Sequence, residues 1–278
     1  MRSNPYREVA SAANSLMKVF RRALADGTTK QGWLAVEGPF LLEEALNAAP
    51  RVKTHSVLVA NTARSKFQAL LDRLPKEAEI TQVPDKLFTS VALTETPQGI
   101  AALVEVPRFT LEQALAAPKP LLLLACRIQD PGNLGTMMRT ALAFSASAFL
   151  TLRETVSPFN PKAVRSSAGA VFRLPVVCDL EPQQAMPFLS RRVRIVAAER
   201  NSPAPLARAD LTGPLAILVG REATGLSEDI ACYASQLLSI PIRTEVDSLN
   251  AAMAASIFLY EAARQREFRY RVTESVSH

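Results

Sequence analysis

Three stretches of the chain carry polar side chains whose chemistry suits a binding or catalytic site. Amides, hydroxyls and carboxylates orient a ligand through hydrogen bonds, and a guanidinium stays charged near neutral pH. These side chains are Asn133 and Arg139 in DPGNLGTMMRTA (130–141), Glu222 in GREATGLSED (220–229), and Ser248 and Asn250 in RTEVDSLNAAMAAS (243–256). Arg139 is the least expected of them, because its neighbours in the predicted helix are apolar or small.

Several familiar kinds of site do not match this pattern. Gly132 and Gly135 lack the spacing of the dinucleotide-binding G-x-G-x-x-G motif, and the chain has no G-K-[ST] phosphate loop. The only histidines are His55 and His278, and a strand-like run follows His55. This scarcity argues against a nucleophile activated by histidine and against a zinc site.

The three cysteines, Cys126, Cys178 and Cys232, are about fifty residues apart, and each lies within or beside an apolar segment. No pair has the spacing of metal ligands, and an odd number does not indicate a disulfide framework. We therefore expect buried thiols.

The elements around the three polar stretches predict that these stretches meet at one edge of a sheet. The stretches follow the apolar runs LLLLACRI, PLAILVG and LLSIPI. The strand candidates of this part of the chain are 121–128, 147–152, 175–178, 193–198, 214–220 and 236–242. Helices fall between most of them, which predicts a parallel sheet covered on both faces. In such sheets ligands bind outside the carboxyl ends of the strands, so the pattern predicts a single site there.

Each polar stretch also has a purely structural explanation. On this explanation, Asp130 to Gly135 would form a tight turn followed by a helix start. Glu222 would be a solvated carboxylate in a loop, and Ser248 would be the N-cap of the last helix. These explanations do not account for the position of all three stretches at equivalent strand ends.

The part of the chain before residue 107 also alternates between helices and strands. Helices are predicted at 4–24, 39–49, 65–74 and 85–93, and strands at 32–38, 54–60, 78–84 and 99–107. Prolines bracket a short helical piece at 107–120, which is typical of a semi-rigid linker. We therefore predict an α/β protein with a small domain at 1–106, a linker at 107–120 and a parallel-sheet domain at 121–270.

The composition is that of a globular protein, with 48% hydrophobic and 21% charged residues among 278. No run reaches the roughly 18 apolar residues of a membrane helix, and the N-terminal residues lack the apolar segment of a secretory signal, so we expect a cytoplasmic protein. The formal charge of +6 suits a polyanionic partner, although a merely basic protein explains it equally well.

The three stretches together resemble the signature motifs of the SpoU (TrmH-like) family of RNA ribose methyltransferases, within the SPOUT superfamily. DPGNLGTMMRTA is similar to the first motif, ILVGREATGLS to the second and LLSIPIRTEVDSLNAAMA to the third, in the family's order. SPFNPKAVRSSAGAVFRLPV and ETPQGIAAL are also similar to family sequence. WLAVEGPFLLEEAL resembles the ribosomal-protein-like RNA-binding domain that often precedes the catalytic domain.

The resemblance implies a fold, a cofactor and an assembly. The C-terminal domain would be a SPOUT domain whose chain end threads a trefoil knot, and the protein would be an obligate homodimer with its active sites near the interface. S-adenosylmethionine would be the methyl donor, held largely by backbone groups around Gly220, Ile240 and Leu249. No metal would be required, because the sulfonium is already activated.

The implied reaction is methyl transfer to the 2′-hydroxyl of one ribose in RNA. By resemblance, Arg139 is the residue that activates this hydroxyl. A guanidinium is almost always protonated, so we expect Arg139 to stabilise the developing alkoxide rather than to act as a base, unless a target phosphate helps it lose a proton. Asn133, Glu222, Ser248 and Asn250 would orient Arg139 and the ribose.

The separate N-terminal domain favours ribosomal RNA over transfer RNA as the substrate. A different class of function, a non-catalytic RNA-binding protein with the same fold, is the alternative. The presence of Arg139, Glu222 and Asn250 argues against it. Methylation of a base is a further alternative, and the SpoU-type motifs argue against that reaction as well.

Overall fold

The structure is a computed structural model that describes residues 6–221 and 225–266. The chain divides into two compact units. The first comprises Met1–Phe109, Asp130–Arg139 and Val156–Arg173, and the second comprises Thr110–Gln129, Thr140–Thr155 and Leu174–His278.

A five-stranded mixed sheet forms the centre of the first unit. Its strands are β1 (Arg7–Glu8), β2 (Leu34–Glu37), β3 (Lys53–Ala60), β4 (Glu79–Val83) and β5 (Ile100–Glu105). Their order in the sheet is β1-β4-β3-β5-β2. β4 runs parallel to β1 and β3, whereas β5 is antiparallel to both β3 and β2. The carboxyl ends of β3 and β4 therefore lie at the same edge.

Short helices surround this sheet. They are α1 (Ser15–Asp26), α2 (Pro39–Asn47), α3 (Ala63–Lys66), α4 (Gln68–Asp72), α5 (Asp85–Thr89), residues 131–139 of α7 (Pro131–Ala143), α8 (Pro161–Ser166) and α9 (Ala170–Arg173). Segment 156–173 contributes Val164 and Phe172 to the same buried core as Phe20 and Leu42 of α1 and α2. This segment and the N-terminal elements thus share one hydrophobic interior.

The sequence predicts a single helix over residues 4–24, and the structure differs from this prediction. Residues 7 and 8 pair with β4 instead, and α1 begins at Ser15. The reason is Asn14, whose side chain accepts the backbone N–H of Leu16 and so caps the helix there. The helix predicted at 65–74 is likewise divided, because Phe67 separates α3 from α4. Within the described residues, this sheet has five strands rather than the four predicted.

A six-stranded sheet, parallel throughout, forms the centre of the second unit. Its strands are β6 (Leu121–Ala125), β7 (Ala148–Leu152), β8 (Val176–Leu180), β9 (Arg194–Ala198), β10 (Leu215–Val219) and β11 (Gln236–Leu238). Their order is β11-β9-β10-β6-β7-β8. Every residue of β6, β7 and β10 is buried, as expected for strands covered on both faces. The predicted α/β class and parallel sheet are confirmed.

The helices of the second unit include a long final helix. They are α6 (Leu111–Ala114), the end of α7, α10 (Pro182–Ser190), a 3-10 turn (Leu206–Arg208), α11 (Glu228–Ala231) and α12 (Ala251–Gln265). After α12, the guanidinium of Arg266 donates to the carbonyls of Lys119, Leu211 and Gly213. This half-buried cation therefore ties the end of α12 to two loops.

The expectation of three buried thiols is wrong for two of them. Cys126 is buried, but Cys178 and Cys232 are exposed. Cys178 lies in β8, the last strand of the sheet, and Cys232 ends the short helix α11. An apolar sequence neighbourhood does not cover a side chain at a sheet edge or a helix end. Within the described residues, no helix has the length and apolar character needed to cross a bilayer.

Candidate active site

A cavity of about 290 Å³ opens in the second unit at the carboxyl ends of three neighbouring strands. The sheet order places β11, β9 and β10 side by side, so the loops that follow them meet. The lining residues from these loops and from α12 include Glu199, Arg200, Asn201, Gly220, Arg221, Gly225, Ile240, Ile242, Ser248, Leu249 and Phe258. This is the position at which ligands bind in open parallel sheets.

Gly220 is required by close packing at the end of β10. A Cβ atom at this position would lie 2.7 Å from the carbonyl oxygen of Gly225 and 2.8 Å from the side chain of Leu226. The N–H of Gly225 donates to the carbonyl of Arg221 over 2.9 Å, and Gly225 has a φ of +63°. A glycine accepts this left-handed conformation without strain. The backbone bond between Arg221 and Gly225 therefore holds the two described ends of this loop together beside the cavity.

The third polar stretch contributes both a wall and a helix cap. Ser248 and Leu249 line the cavity. Asn250 is the N-cap of α12, since its side-chain oxygen accepts the N–H of Ala252 and Met253 at 2.9 and 3.3 Å. The structural explanation that made Ser248 the cap is therefore wrong, and Ser248 remains exposed beside the cavity.

Asn133 and Arg139 belong to the first unit, on α7, whereas the residues that line the cavity belong to the second. Asn133 is half-buried in the first turn of the helix, and Arg139 is exposed. Within the described part of the chain, the guanidinium of Arg139 makes no hydrogen bond or ion pair. Its charge is thus not neutralised by a neighbouring carboxylate among these residues.

The first turn of α7 is held by an ion pair. The carboxylate of Asp130 accepts the backbone N–H of Asn133 at 2.8 Å and the ammonium of Lys162 at 2.9 Å. The bond from Lys162, together with the backbone bond from Asn133, lowers the pKa of Asp130. The expected turn and helix start are therefore present, with Asp130 charged at the positive end of the helix.

Gly135 allows α7 to pack directly on α8. A Cβ atom at Gly135 would lie 2.3 Å from the carbonyl oxygen of Ala163, 2.6 Å from the Cβ of Ser166 and 2.9 Å from the N of Ser167. Arg139 follows Gly135 by four residues and so lies on a neighbouring part of the same helix face. The packing of α7 on α8 thus determines where the Arg139 side chain originates.

Glu222, from the second polar stretch, lies outside the described residues. Sequence reasoning missed Glu199, Arg200 and Asn201, which follow β9 and line the cavity. These residues could have been predicted, because polar residues that directly follow a parallel strand lie at the edge of the sheet where ligands bind. The sequence ERNS (199–202) follows the strand predicted at 193–198 in this way.

The cavity combines apolar walls with charged groups at its rim. Ile240, Leu249 and Phe258 are apolar, whereas Glu199 and Arg200 carry opposite charges. Such a surface suits a ligand with a flat apolar part and a charged part. In the described part of the chain, no group of three or more histidine, cysteine, aspartate or glutamate residues is placed to hold a metal ion.

Known protein families match both the N-terminal and the C-terminal part of the chain. The model of the SpoU rRNA Methylase family matches residues 120–260, and the MRM3-like substrate binding domain matches residues 28–102. The chain is 31% identical over 255 residues to the 23S rRNA (guanosine(2553)-2'-O)-methyltransferase RlmP of Bacillus subtilis (strain 168), covering 91% of this chain and 98% of that protein.

Two further comparisons involve Streptomyces viridochromogenes. Its 23S rRNA (uridine(2479)-2'-O)-methyltransferase is 32% identical over 208 residues, covering 73% of this chain and 72% of that protein. The crystal structure of its SpoU methyltransferase AviRb in complex with the cofactor AdoMet matches with a TM-score of 0.82 and 27% identity, covering 91% of this chain and 98% of that one. The resemblance recognised from the three ordered motifs is confirmed. The chain belongs to the SpoU rRNA methylase family.

Proposed function

We propose that this chain transfers the methyl group of S-adenosylmethionine to a ribose 2′-hydroxyl in ribosomal RNA. The observation that carries the proposal is the cavity at the ends of β9, β10 and β11, which two of the three family motifs line. The proposal agrees with the activities of relatives that match most of this chain, including RlmP.

S-adenosylmethionine fits the chemistry of this cavity. Gly220, Ile240 and Leu249 would hold its adenosine, with the tight backbone turn at Gly220 and the apolar walls excluding water. Glu199 and Arg200 have the charges that complement its amino-acid end. When bound, the cofactor supplies a methyl group that is already activated by the positive sulfonium.

The residues of the chain then have to position the ribose and stabilise charge. In this proposal Arg139 remains protonated and stabilises the oxygen of the 2′-hydroxyl as its proton leaves for solvent. Its exposure and its lack of an ion-pair partner among the described residues leave its charge available. Four polar residues would orient Arg139 and the ribose: Asn133, Glu222, Ser248 and Asn250. Asn250 is also the N-cap of α12, which fixes its position at the start of that helix.

The test is transfer of labelled methyl from S-adenosylmethionine to ribosomal RNA from cells that lack the gene. We expect Arg139→Ala to keep cofactor binding, measured by calorimetry, and to lose methyl transfer. Arg191→Ala is the matched control, because it removes another exposed guanidinium, at the end of α10. Near-normal turnover by Arg139→Ala would refute its role, and the absence of a methylated ribose with the unaltered protein would refute the activity.

We also propose that residues 1–106 form an RNA substrate-binding domain, that 107–120 link it to the rest, and that 121–270 form the methyltransferase domain. The match of 28–102 to a substrate binding domain supports this division. Lys18 and Arg21 on the outer face of α1 are exposed. Replacing both by alanine should reduce the salt dependence of RNA binding by about two counterions. An unchanged slope would show that α1 does not contact phosphates.

We further propose a homodimer formed through the C-terminal domain. α12 exposes Met253, Ile257 and Tyr260 by 61%, 39% and 56%, at the spacing of one helix face. The ring of Phe144 contacts Tyr260 edge to face, with centroids 5.8 Å apart. We expect Ile257→Asp to produce monomers in sedimentation experiments, since it places a charge within this apolar stripe. An unaltered protein that sediments as a monomer would refute the dimer.

The remaining parts of the proposal follow from family membership. The end of the methyltransferase domain would thread a trefoil knot, as the family resemblance implies. We also propose that the protein acts in the cytoplasm, where a bacterial ribosomal RNA substrate would be found. Fractionation of cells that produce the tagged chain tests this location directly.

A further inference from the structure

A second cavity, of about 300 Å³, lies in the first unit at the carboxyl end of the parallel strands β3 and β4. Its lining comes from the end of β3 and the residue Thr62 that follows it, from α3 and α5, and from the loop before β5. The lining residues are Ala60, Thr62, Ala63, Lys66, Asp85, Phe88, Thr89, Pro97, Gln98 and Gly99. No group assigned to methyl transfer lines it, so it is separate from the candidate active site.

The wall formed by the loop before β5 is fixed in place. The carboxylate of Glu37, at the end of β2, accepts the N–H of Leu93 over 2.8 Å and the hydroxyl of Thr94. Gly99 has a φ of +83°, and a Cβ there would lie 2.6 Å from the Cβ of Ala63. The loop therefore crosses α3 at a distance that only glycine permits.

Two polar side chains in the lining are available to a ligand. Gln98 is exposed, and its amide makes no hydrogen bond to the described residues. Lys66 is exposed and has no carboxylate partner among them; its ammonium lies 5.2 Å from the ring centre of Phe67. By contrast, Asp85 already accepts the hydroxyl of Thr62. The free groups are thus an amide with both donor and acceptor atoms and a cation.

Exposed apolar side chains lie on two segments that border this cavity, the start of α2 and the loop before β5. A Cβ at Gly38 would lie 3.6 Å from the side-chain oxygen of Gln98, which places the start of α2 beside the cavity. Phe40, two residues further along α2, is 55% exposed, and Leu93 in the anchored loop is 41% exposed. The element that borders the cavity therefore carries an exposed aromatic ring.

We propose that this cavity binds one unpaired nucleotide of the RNA substrate. The amide of Gln98 has the donor and acceptor needed for a base edge, Lys66 suits the adjoining phosphate, and the ring of Phe40 offers a stacking surface for a neighbouring base. Paired bases in an RNA helix do not present these edges or faces, so the partner is a single-stranded loop or bulge. The inference rests on the proposed function, because it deepens how that activity selects its RNA.

The test uses the full chain and fluorescein-labelled RNA decamers of mixed sequence, either single-stranded or annealed to their complements. Gln98→Ala and Lys66→Ala should each weaken single-strand binding by about tenfold and leave duplex binding unchanged. Lys86→Ala is the matched control, since it removes an exposed cation from α5 that does not line the cavity. Equal thermal midpoints of all variants would show that each variant is folded.

The outcomes separate this inference from the proposed function. Single-strand binding by Gln98→Ala and Lys66→Ala equal to that of Lys86→Ala overturns the inference, whether or not the protein methylates RNA. Tight binding of free nucleoside monophosphates that competes with the decamers also overturns it, in favour of a small-molecule site. Loss of single-strand binding in a protein that methylates no RNA would leave the inference standing and refute the activity.

Discussion

Replacing Gly135 by alanine tests the close packing of α7 on α8. The added Cβ would lie 2.3 Å from the carbonyl oxygen of the buried Ala163, so the two helices must separate by about 1 Å to restore ordinary contact. Overpacking of this kind costs about 1–3 kcal/mol, and the better helix propensity of alanine offsets up to about 1 kcal/mol. We therefore expect a net destabilisation of about 1–2 kcal/mol.

Gly132→Ala is the matched control on the same helix. A Cβ at Gly132 would meet Asp130 Oδ1 at 2.7 Å and Lys162 Cε at 3.3 Å, and both atoms belong to side chains that can move. Because these side chains can move aside, its destabilisation should be smaller by about 1–2 kcal/mol. Urea unfolding followed through Trp33, which belongs to the first unit, measures the difference.

The same substitution should reduce methyl transfer. Because Arg139 lies on the same face of α7 as Gly135, a displacement of about 1 Å moves the origin of its side chain and costs about a hundredfold in rate. Cofactor affinity should not change, because the cavity residues belong to the second unit. If Gly135→Ala is as stable and as active as Gly132→Ala, the packing of α7 on α8 does not position Arg139.

Further predictions concern the thiols and the end of α12. Burial raises the pKa of the Cys126 thiol to about 11, so alkylation of the folded chain at pH 8 should modify Cys178 and Cys232 and spare Cys126, which mass spectrometry would show. The thiol of Cys126 loses its proton near pH 9.0 in the unfolded chain and near 11 in the folded chain. The free energy of unfolding should therefore fall as the pH rises through this range, because the unfolded chain releases the proton more readily. Cys126→Ala should remove this part of the pH dependence. Arg266→Ala should cost about 2 kcal/mol in urea unfolding, because three backbone carbonyls lose their charged donor. Arg264→Ala, which removes an exposed guanidinium paired with a carboxylate, should have little effect and serves as the control.

Much of the second unit was predictable because its signals are local. Apolar runs separated by helices are sufficient to predict buried parallel strands, and all six strands lie where these runs occur. The polar stretches after β10 and β11 were assigned to one site because parallel strands end at one edge, and Gly220, Ile240, Ser248 and Leu249 do line one cavity. The roles of Arg139, Asn133 and Glu222 remain predictions that the experiments above address.

Other features depend on contacts between residues far apart in the chain. The order β11-β9-β10 brings Glu199 into the cavity wall, and no local pattern reveals which strands are neighbours. Asn250 rather than Ser248 caps α12, because the cap depends on where the backbone enters the helix.

The identity of the motifs, their order along the chain and the α/β class were already contained in the amino-acid sequence. The spacing of apolar residues and the polar residues that follow each strand are local properties of the sequence, and they do not depend on how the strands are ordered in the sheet. The shared core of segment 156–173 and α1 and α2, the exposure of Cys178 and Cys232, and the cavity beside Gln98 required the folded chain. Each of these depends on which distant surfaces meet, and burial and cavities arise only from such contacts.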